Sequence, residues 1–308
     1  MRIFALGLRR SGTTVFWQTL CQDSRFCAYD EPFNPVLRNL GNRAWLAKYQ
    51  SKIGYVKDMF TQEPRRFWEL YSAIYEIEEL QIGLSDRQRS YLQHMLSESE
   101  HVLLESTRLH YKVRELADVG GDQAILVHLY RSPESFASSH LIPSGQHIAS
   151  NSVGGLEMTS SLAKNWLLKV RRRVTFWDRN GDYDGWGVET LVGEGTSSLF
   201  AQRLAEVGLS PEDVYALPAV GRLMAYWKAC FERVEADGRR YFGDRFVSVS
   251  FAEFSAQPEA AVRRIYEAMG AEMPQFDFSH LHPANGPFDS RNPRWQELRR
   301  LLSIDVAG

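Results

Sequence analysis

The segment Gly7-Leu8-Arg9-Arg10-Ser11-Gly12-Thr13-Thr14 places two glycines, two arginines and three hydroxyl side chains between a short apolar stretch, Arg2 to Gly7, and a helical run from Thr14 to Cys21. Glycines at this spacing let backbone N–H groups curl around an anion, and a helix that starts there adds unpaired donors and partial positive charge. The frame is that of a Walker A loop, but Thr13 stands where that loop has its lysine, and Arg10 lies inside the loop instead. No apolar strand ending in Asp offers a Walker B magnesium site. The expectation is a phosphate-bearing donor that needs no metal. The bland alternative, a glycine-rich turn without a ligand, leaves two cations and three hydroxyls unexplained.

Three further clusters could do chemistry. Arg131, in Tyr130-Arg131-Ser132-Pro133, follows the most apolar strand of the chain, where ligands of open parallel sheets bind, and Ser139 lies eight residues on, two turns into the next helix. Tyr29-Asp30-Glu31-Pro32-Phe33 closes a second strand with carboxylates. Leu104-Glu105-Ser106-Thr107-Arg108-Leu109-His110 closes a third with Glu105, Arg108 and His110.

The elements that must position these groups are legible as an alternation. Residues 2–7, 26–29, 101–105, 124–130 and 245–251 read as strands, and helical runs fall between them, including Leu223 to Ala236 and a helix opened by Pro258 whose Val262, Ile265, Tyr266 and Met269 share one face before Gly270 stops it. This pattern predicts an α/β fold: a P-loop-like three-layer core with a central five-stranded parallel sheet and helices on both faces. Two insertions are expected within a single 1–308 domain: a helical, aromatic-rich one over 38–100 (Trp45, Tyr49, Phe60, Phe67, Trp68, Tyr71, Tyr75, Tyr91) and a loop-rich, partly disordered one over 142–198, irregular from Asp178 to Ser198.

Taken together, these motifs resemble the sulfotransferases that use 3′-phosphoadenosine 5′-phosphosulfate (PAPS). That family carries a basic-Ser-Gly-Thr-Thr loop, matched by Arg10-Ser11-Gly12-Thr13-Thr14, and an Arg and a Ser eight residues apart, matched by Arg131 and Ser139. The resemblance is firm over residues 1–35, 101–141 and 223–270. It implies that Arg9, Arg10, Ser11, Gly12, Thr13 and Thr14 bind the 5′-phosphosulfate, that Arg131 and Ser139 bind the 3′-phosphate, and that PAP (adenosine 3′,5′-bisphosphate) is released without a metal. The Tyr-x-Glu-Pro segment is similar to one in carbohydrate sulfotransferases, which makes Glu31 the candidate catalytic base and Arg10 the group that stabilises the leaving PAP. A structural carboxylate that caps the next helix or pairs with Arg9 is the competing reading of Glu31. Glu105 stands where the family often has Lys. There Arg108 would replace the missing charge, His110 is a fallback base, and Glu105 could bind an acceptor hydroxyl or amine. In the turn-rich segment from His282 to Trp295, Arg291 or Arg294 would close over the donor's 3′-phosphate, or the segment is a surface loop anchored by Trp295.

Bulk composition narrows the classes. A net charge of −2 over 308 residues argues against a nucleic-acid surface. Three cysteines without metal or disulfide spacing suit a cytoplasmic chain, and no apolar run reaches the roughly 18 residues of a transmembrane helix. No secretory signal segment is expected either. The expected partner is a carbohydrate, lipid or other small-molecule alcohol; the oligomeric state stays open. Two rival readings remain: a P-loop small-molecule kinase with an aberrant Walker A loop, and a non-enzymatic nucleotide-binding scaffold.

Overall fold

The computed structural model describes residues 1–39, 65–142, 161–178, 188–193, 198–284 and 286–305. Five strands, β1 (Arg2–Leu6), β2 (Cys27–Asp30), β3 (Val102–Ser106), β4 (Ala124–Tyr130) and β5 (Phe246–Ser250), form one parallel sheet in the order β2-β3-β1-β4-β5. The expected α/β architecture is therefore present. The first strand lies centrally because the chain steps outward to β2 on one side and later crosses to β4 on the other. The end of β1 thus sits at the switch point where open sheets bind ligands.

Burial follows the sequence. Every residue of β3 is buried, as is all of β4 but Tyr130, the burial of central strands covered on both faces, although β3 ends in the polar Glu105 and Ser106 and β4 contains His128. β5 alternates buried and half-buried positions, the pattern of an edge strand. The helices are α1 (Thr13–Leu20), α2 (Arg65–Leu70), α3 (Glu76–Glu79), α4 (Asp86–Ser97), α5 (Val113–Gly120), α6 (Pro133–Leu141), α7 (Ser161–Val174), α8 (Val188–Val192), α9 (Ser198–Glu206), α10 (Pro211–Ala216), α11 (Ala219–Phe242), α12 (Phe251–Ala256), α13 (Pro258–Ala268) and α14 (Arg294–Leu301). One face of the sheet packs Ile3, Ala5, Leu103, Ile125 and Val127 against α1, α12 and α13. The other packs Phe4, Leu6, Val102, Leu104 and Leu126 against α4, α5 and the last turns of α11. These are the three layers.

The described residues fall into two compact units: Met1–Tyr130 with Arg233–Pro283, and Arg131–Glu232 with Ala284–Gly308. The first holds the sheet. The second is helical, with Phe136, Phe200, Tyr226, Trp227 and Trp295 in its buried interior.

Several sequence boundaries shift. β2 extends through Asp30, α11 runs 24 residues where 14 were expected, and a helix occupies Val188–Val192 where irregular chain was expected. The helical reading of 38–100 holds for α2, α3 and α4. Trp45, Tyr49 and Phe60 lie outside the described residues, as does most of 142–198 apart from α7 and α8. Phe67 and Tyr91 pack edge-on at 5.1 Å, so these aromatics do build core.

Candidate functional site

The loop after β1 turns by two left-handed residues, Arg10 at φ 69° and Gly12 at φ 90°. Gly12 is required twice over. Its φ disfavours any side chain, and a Cβ there would lie 2.3 Å from the Phe251 ring. Gly7 is required by closeness alone, since a Cβ would fall 2.6 Å from the Leu129 carbonyl oxygen. The turn delivers the chain into α1 with no side-chain cap and no acidic residue in the first helical turn. The N-terminal N–H groups and their dipole are thus offered to an external anion. Ser11 is buried, and its hydroxyl has no hydrogen-bond partner. Thr13 is buried as well, while Thr14 is exposed.

The carboxylates gather at the same edge of the sheet. Asp30 and Glu105 are cross-strand partners and both are buried. Burial, then the like charges of Glu31 and Asp30, hold the Glu105 carboxyl well above the usual carboxylate range, against the pull of the Thr13 hydroxyl. Glu31 follows at φ 50°, a strained backbone for a non-glycine residue. Its N–H donates to the Glu105 carbonyl at 3.0 Å. The N–H of Thr107 donates to Glu31 Oε1 at 3.3 Å, and the Thr107 hydroxyl donates to the same atom. Oε2 is buried without a partner. The result is a clamped carboxylate with one oxygen in hand, the arrangement a general base requires.

Arg9 and Arg108 are brought together by a residue that sequence reasoning did not single out. Glu79 of α3, itself buried, accepts from Arg9 Nη1 at 2.9 Å and from Arg9 Nη2, and also from Arg108 Nη1. His110 is buried, and burial reinforced by the positive surroundings of His128, Arg9 and Lys112 lowers its pKa to about 3. It is neutral at pH 7 and a weak proton acceptor.

Arg131 and Ser139 belong to the second unit. Both are half-buried. The Arg131 carbonyl accepts from Trp227 Nε1 at 2.9 Å, and the Ser139 hydroxyl donates back to the Phe136 carbonyl at 2.8 Å. Ser132 caps α6 by accepting from the Ser135 N–H, with Pro133 at the first helical position. Ser138 accepts from the Phe288 N–H at 2.9 Å and so ties down the C-terminal segment. Arg291 is exposed, and Arg294 lies over the Trp177 ring at 5.6 Å. Trp295, in α14, is buried, and its Nε1 donates to the Phe288 carbonyl at 3.2 Å.

Thr107 and Glu79 escaped the sequence reading because their roles depend on tertiary pairing. One is a hydroxyl among many, the other the last acid in Glu76-Ile77-Glu78-Glu79. Among the described residues no cluster of His, Cys, Asp or Glu is suited to a metal ion, and no helix is long and apolar enough to cross a membrane.

A family model described as "Sulfotransferase family" matches residues 2–184 and 192–275. No curated protein matches the chain. Among solved structures, the chain is similar to the sulfotransferase domain of the olefin synthase from Synechococcus PCC 7002 at 13% identity and a TM-score of 0.44, covering 100% of this chain and 96% of that one. It is also similar to the sulfotransferase STF1 of Mycobacterium tuberculosis H37Rv at 14% identity and a TM-score of 0.41, covering 100% and 72%. A sulfotransferase from Alicyclobacillus acidocaldarius shows 15% identity and a TM-score of 0.36 over 99% and 96%.

Proposed function

The chain belongs to the sulfotransferase family, and from that premise we propose that it moves a sulfuryl group from PAPS to the hydroxyl of a carbohydrate or another small-molecule alcohol. The observation that carries the donor assignment is the loop after β1: a left-handed turn at Arg10 and Gly12, an uncapped helix behind it, and the buried Ser11 hydroxyl without a partner. These are the donors a phosphosulfate needs, and the missing Walker lysine makes a triphosphate the poorer fit.

In the reaction the acceptor oxygen forms a bond to sulfur while the bond from sulfur to the bridging phosphate oxygen breaks. The acceptor proton passes to Glu31 Oε2, held ready by the two Thr107 donors on Oε1. Negative charge develops on the departing PAP, and Arg10 with the loop N–H groups neutralises it. Thr13 and Thr14 add hydroxyl donors at the helix start. Arg131 and Ser139, by the resemblance of their spacing, take the 3′-phosphate; the Ser139 hydroxyl would turn from the Phe136 carbonyl to do so. Arg291 and Arg294 are assigned no part in binding, and Glu105 stays in reserve for an acceptor group. Three cysteines without disulfide or metal-ligand spacing suit a reducing, cytoplasmic setting.

Calorimetry with PAP and with ATP, each with and without magnesium, tests the donor. PAP is expected to bind regardless of magnesium. Magnesium-dependent ATP binding without PAP binding would establish the kinase reading instead. Mass-spectrometric screening of acceptors with labelled PAPS then identifies the alcohol.

A further inference from the structure

Helix α7 turns an apolar stripe outward. At about 100° per residue, Trp166, Leu167, Val170 and Val174 share a sector of about 100° on one side of it. All four are exposed, Trp166 by 64% and Val174 by 75%. They make up four of the nine large apolar side chains exposed among the described residues, the other five being spread over the rest of the chain. The opposite side is held down. Arg172 is buried there, and just past the last turn the buried Phe176 packs 4.9 Å from the Phe288 ring and 5.7 Å from the Trp295 ring.

Charge follows the stripe. From Met158 to Trp177 the sequence holds five cations, Lys164, Lys169, Arg171, Arg172 and Arg173, and no acid. Lys169 and Arg173 border the stripe on one side and Arg171 on the other. Arg173 lies 5.9 Å over the Phe288 ring, its stem along apolar surface. The helix macrodipole accounts for cations in a last turn, but not for apolar side chains left in water beside them. Single exposed apolar residues are ordinary; a contiguous stripe with a polar border marks an interaction surface.

The chemistry of that border selects the partner. Trp, Leu and Val on one side of a helix with Lys and Arg along the edges is the pattern of a helix that lies in a membrane interface, its apolar side in the headgroup–acyl boundary and its cations at the lipid phosphates. A second copy of the chain fits less well, because a two-fold pairing sets the same patch on both partners and brings cations against cations. The whole chain carries a net charge of −2, so an anionic bilayer does not attract it at long range and the attraction must be local to α7.

We propose that α7 is a docking helix for an anionic membrane surface: Trp166, Leu167, Val170 and Val174 enter the interface, and Lys169 and Arg173 meet the lipid phosphates. The proposal is independent of the donor that the loop after β1 holds.

Co-sedimentation of the full chain with vesicles tests it, using equal parts phosphatidylcholine and phosphatidylglycerol against phosphatidylcholine alone. Wild-type protein is expected to bind the mixed vesicles more tightly, and the preference should vanish at about 1 M salt. Trp166→Ser/Leu167→Ser should weaken binding to the mixed vesicles at least about tenfold. Lys169→Gln and Arg173→Gln should each weaken it about fivefold and leave binding to phosphatidylcholine unchanged. Ile82→Ser removes an exposed apolar side chain elsewhere and should change nothing. Near-UV circular dichroism checks folding; should the double serine variant fail to fold, the two glutamine variants decide. Wild-type protein that ignores the mixed vesicles overturns the inference, as do folded α7 variants that bind like wild type or an Ile82→Ser loss as large as theirs. Sedimentation velocity covers the remaining case: a wild-type dimer that Trp166→Ser/Leu167→Ser turns into a monomer would assign the stripe to a second copy and overturn the membrane assignment.

Discussion

Thr107 gives Glu31 two donors on one oxygen, and that pairing separates two roles a carboxylate could play at this edge of the sheet. If Glu31 is the base, Glu31→Gln should leave PAP binding intact and cut turnover by at least about a thousandfold, in the upper range of what a positioned base contributes. Full activity in that variant would remove Glu31 from the mechanism. Thr107→Val keeps the branched shape and the backbone donor but deletes the hydroxyl. It should lower kcat roughly tenfold, the equivalent of one hydrogen bond to a charged group, without moving the PAP dissociation constant. Glu105 makes a separate claim, on stability. Its folded-state carboxyl is raised by burial and by Glu31 and Asp30, so its favourable contribution is complete below the ordinary carboxylate value and is lost as pH rises through the raised one. Glutamine does not titrate. Glu105→Gln should therefore melt at nearly the wild-type temperature near pH 4 and roughly 2–6 °C higher at pH 8, a difference that thermal melts across pH will show or refute.

At the scale of elements, the junction of β1 and α1 concentrates the fold's constraints. Gly12 sits at φ 90° against the Phe251 ring of α12, so Gly12→Ala combines left-handed strain with a steric clash. A loss of at least about 2 kcal/mol is expected, from strain of 1–2 kcal/mol plus the displaced ring, and it should appear both as a lower melting temperature and as weaker PAP binding. A variant as stable as wild type would mean that the loop has another resting shape. This junction was legible in the sequence because glycine spacing and an apolar strand are local signals, and β4 and α13 were legible for the same reason. The edge strands were less so: β2 is only four residues long, and its last, Asp30, is a buried acid that no hydrophobic pattern reveals. The long reach of α11 was missed because its last turns, Arg239 and Arg240 among them, are polar and carry little apolar periodicity. Arg9 was legible as a cation but not as a partner of Glu79, since the two are 70 residues apart and meet only through tertiary packing within the first unit.

For the whole molecule, the relevant quantity is how ligand binding feeds into stability. A ligand that binds only the folded chain adds RT ln(1 + [L]/Kd), about 2.7 kcal/mol at a hundred times the dissociation constant. PAP at that excess should thus raise the melting temperature by several degrees, and added magnesium or EDTA should leave the increment unchanged. Arg131→Ala separates the two motifs that the resemblance assigns to one donor. On the proposed charge-assisted contact of Arg131 with the 3′-phosphate, its loss should weaken PAP binding about tenfold to a hundredfold, and at the same PAP concentration the stabilisation should shrink by about 1.3–2.3 kcal/mol. The comparison ligand is adenosine 5′-phosphosulfate, which lacks the 3′-phosphate. Its increment should be smaller than that of PAP in wild-type protein and should not change in Arg131→Ala. If Arg131→Ala lowers both increments equally, Arg131 supports the fold rather than the 3′-phosphate, and the pairing of Arg131 with Ser139 loses its meaning as a binding motif.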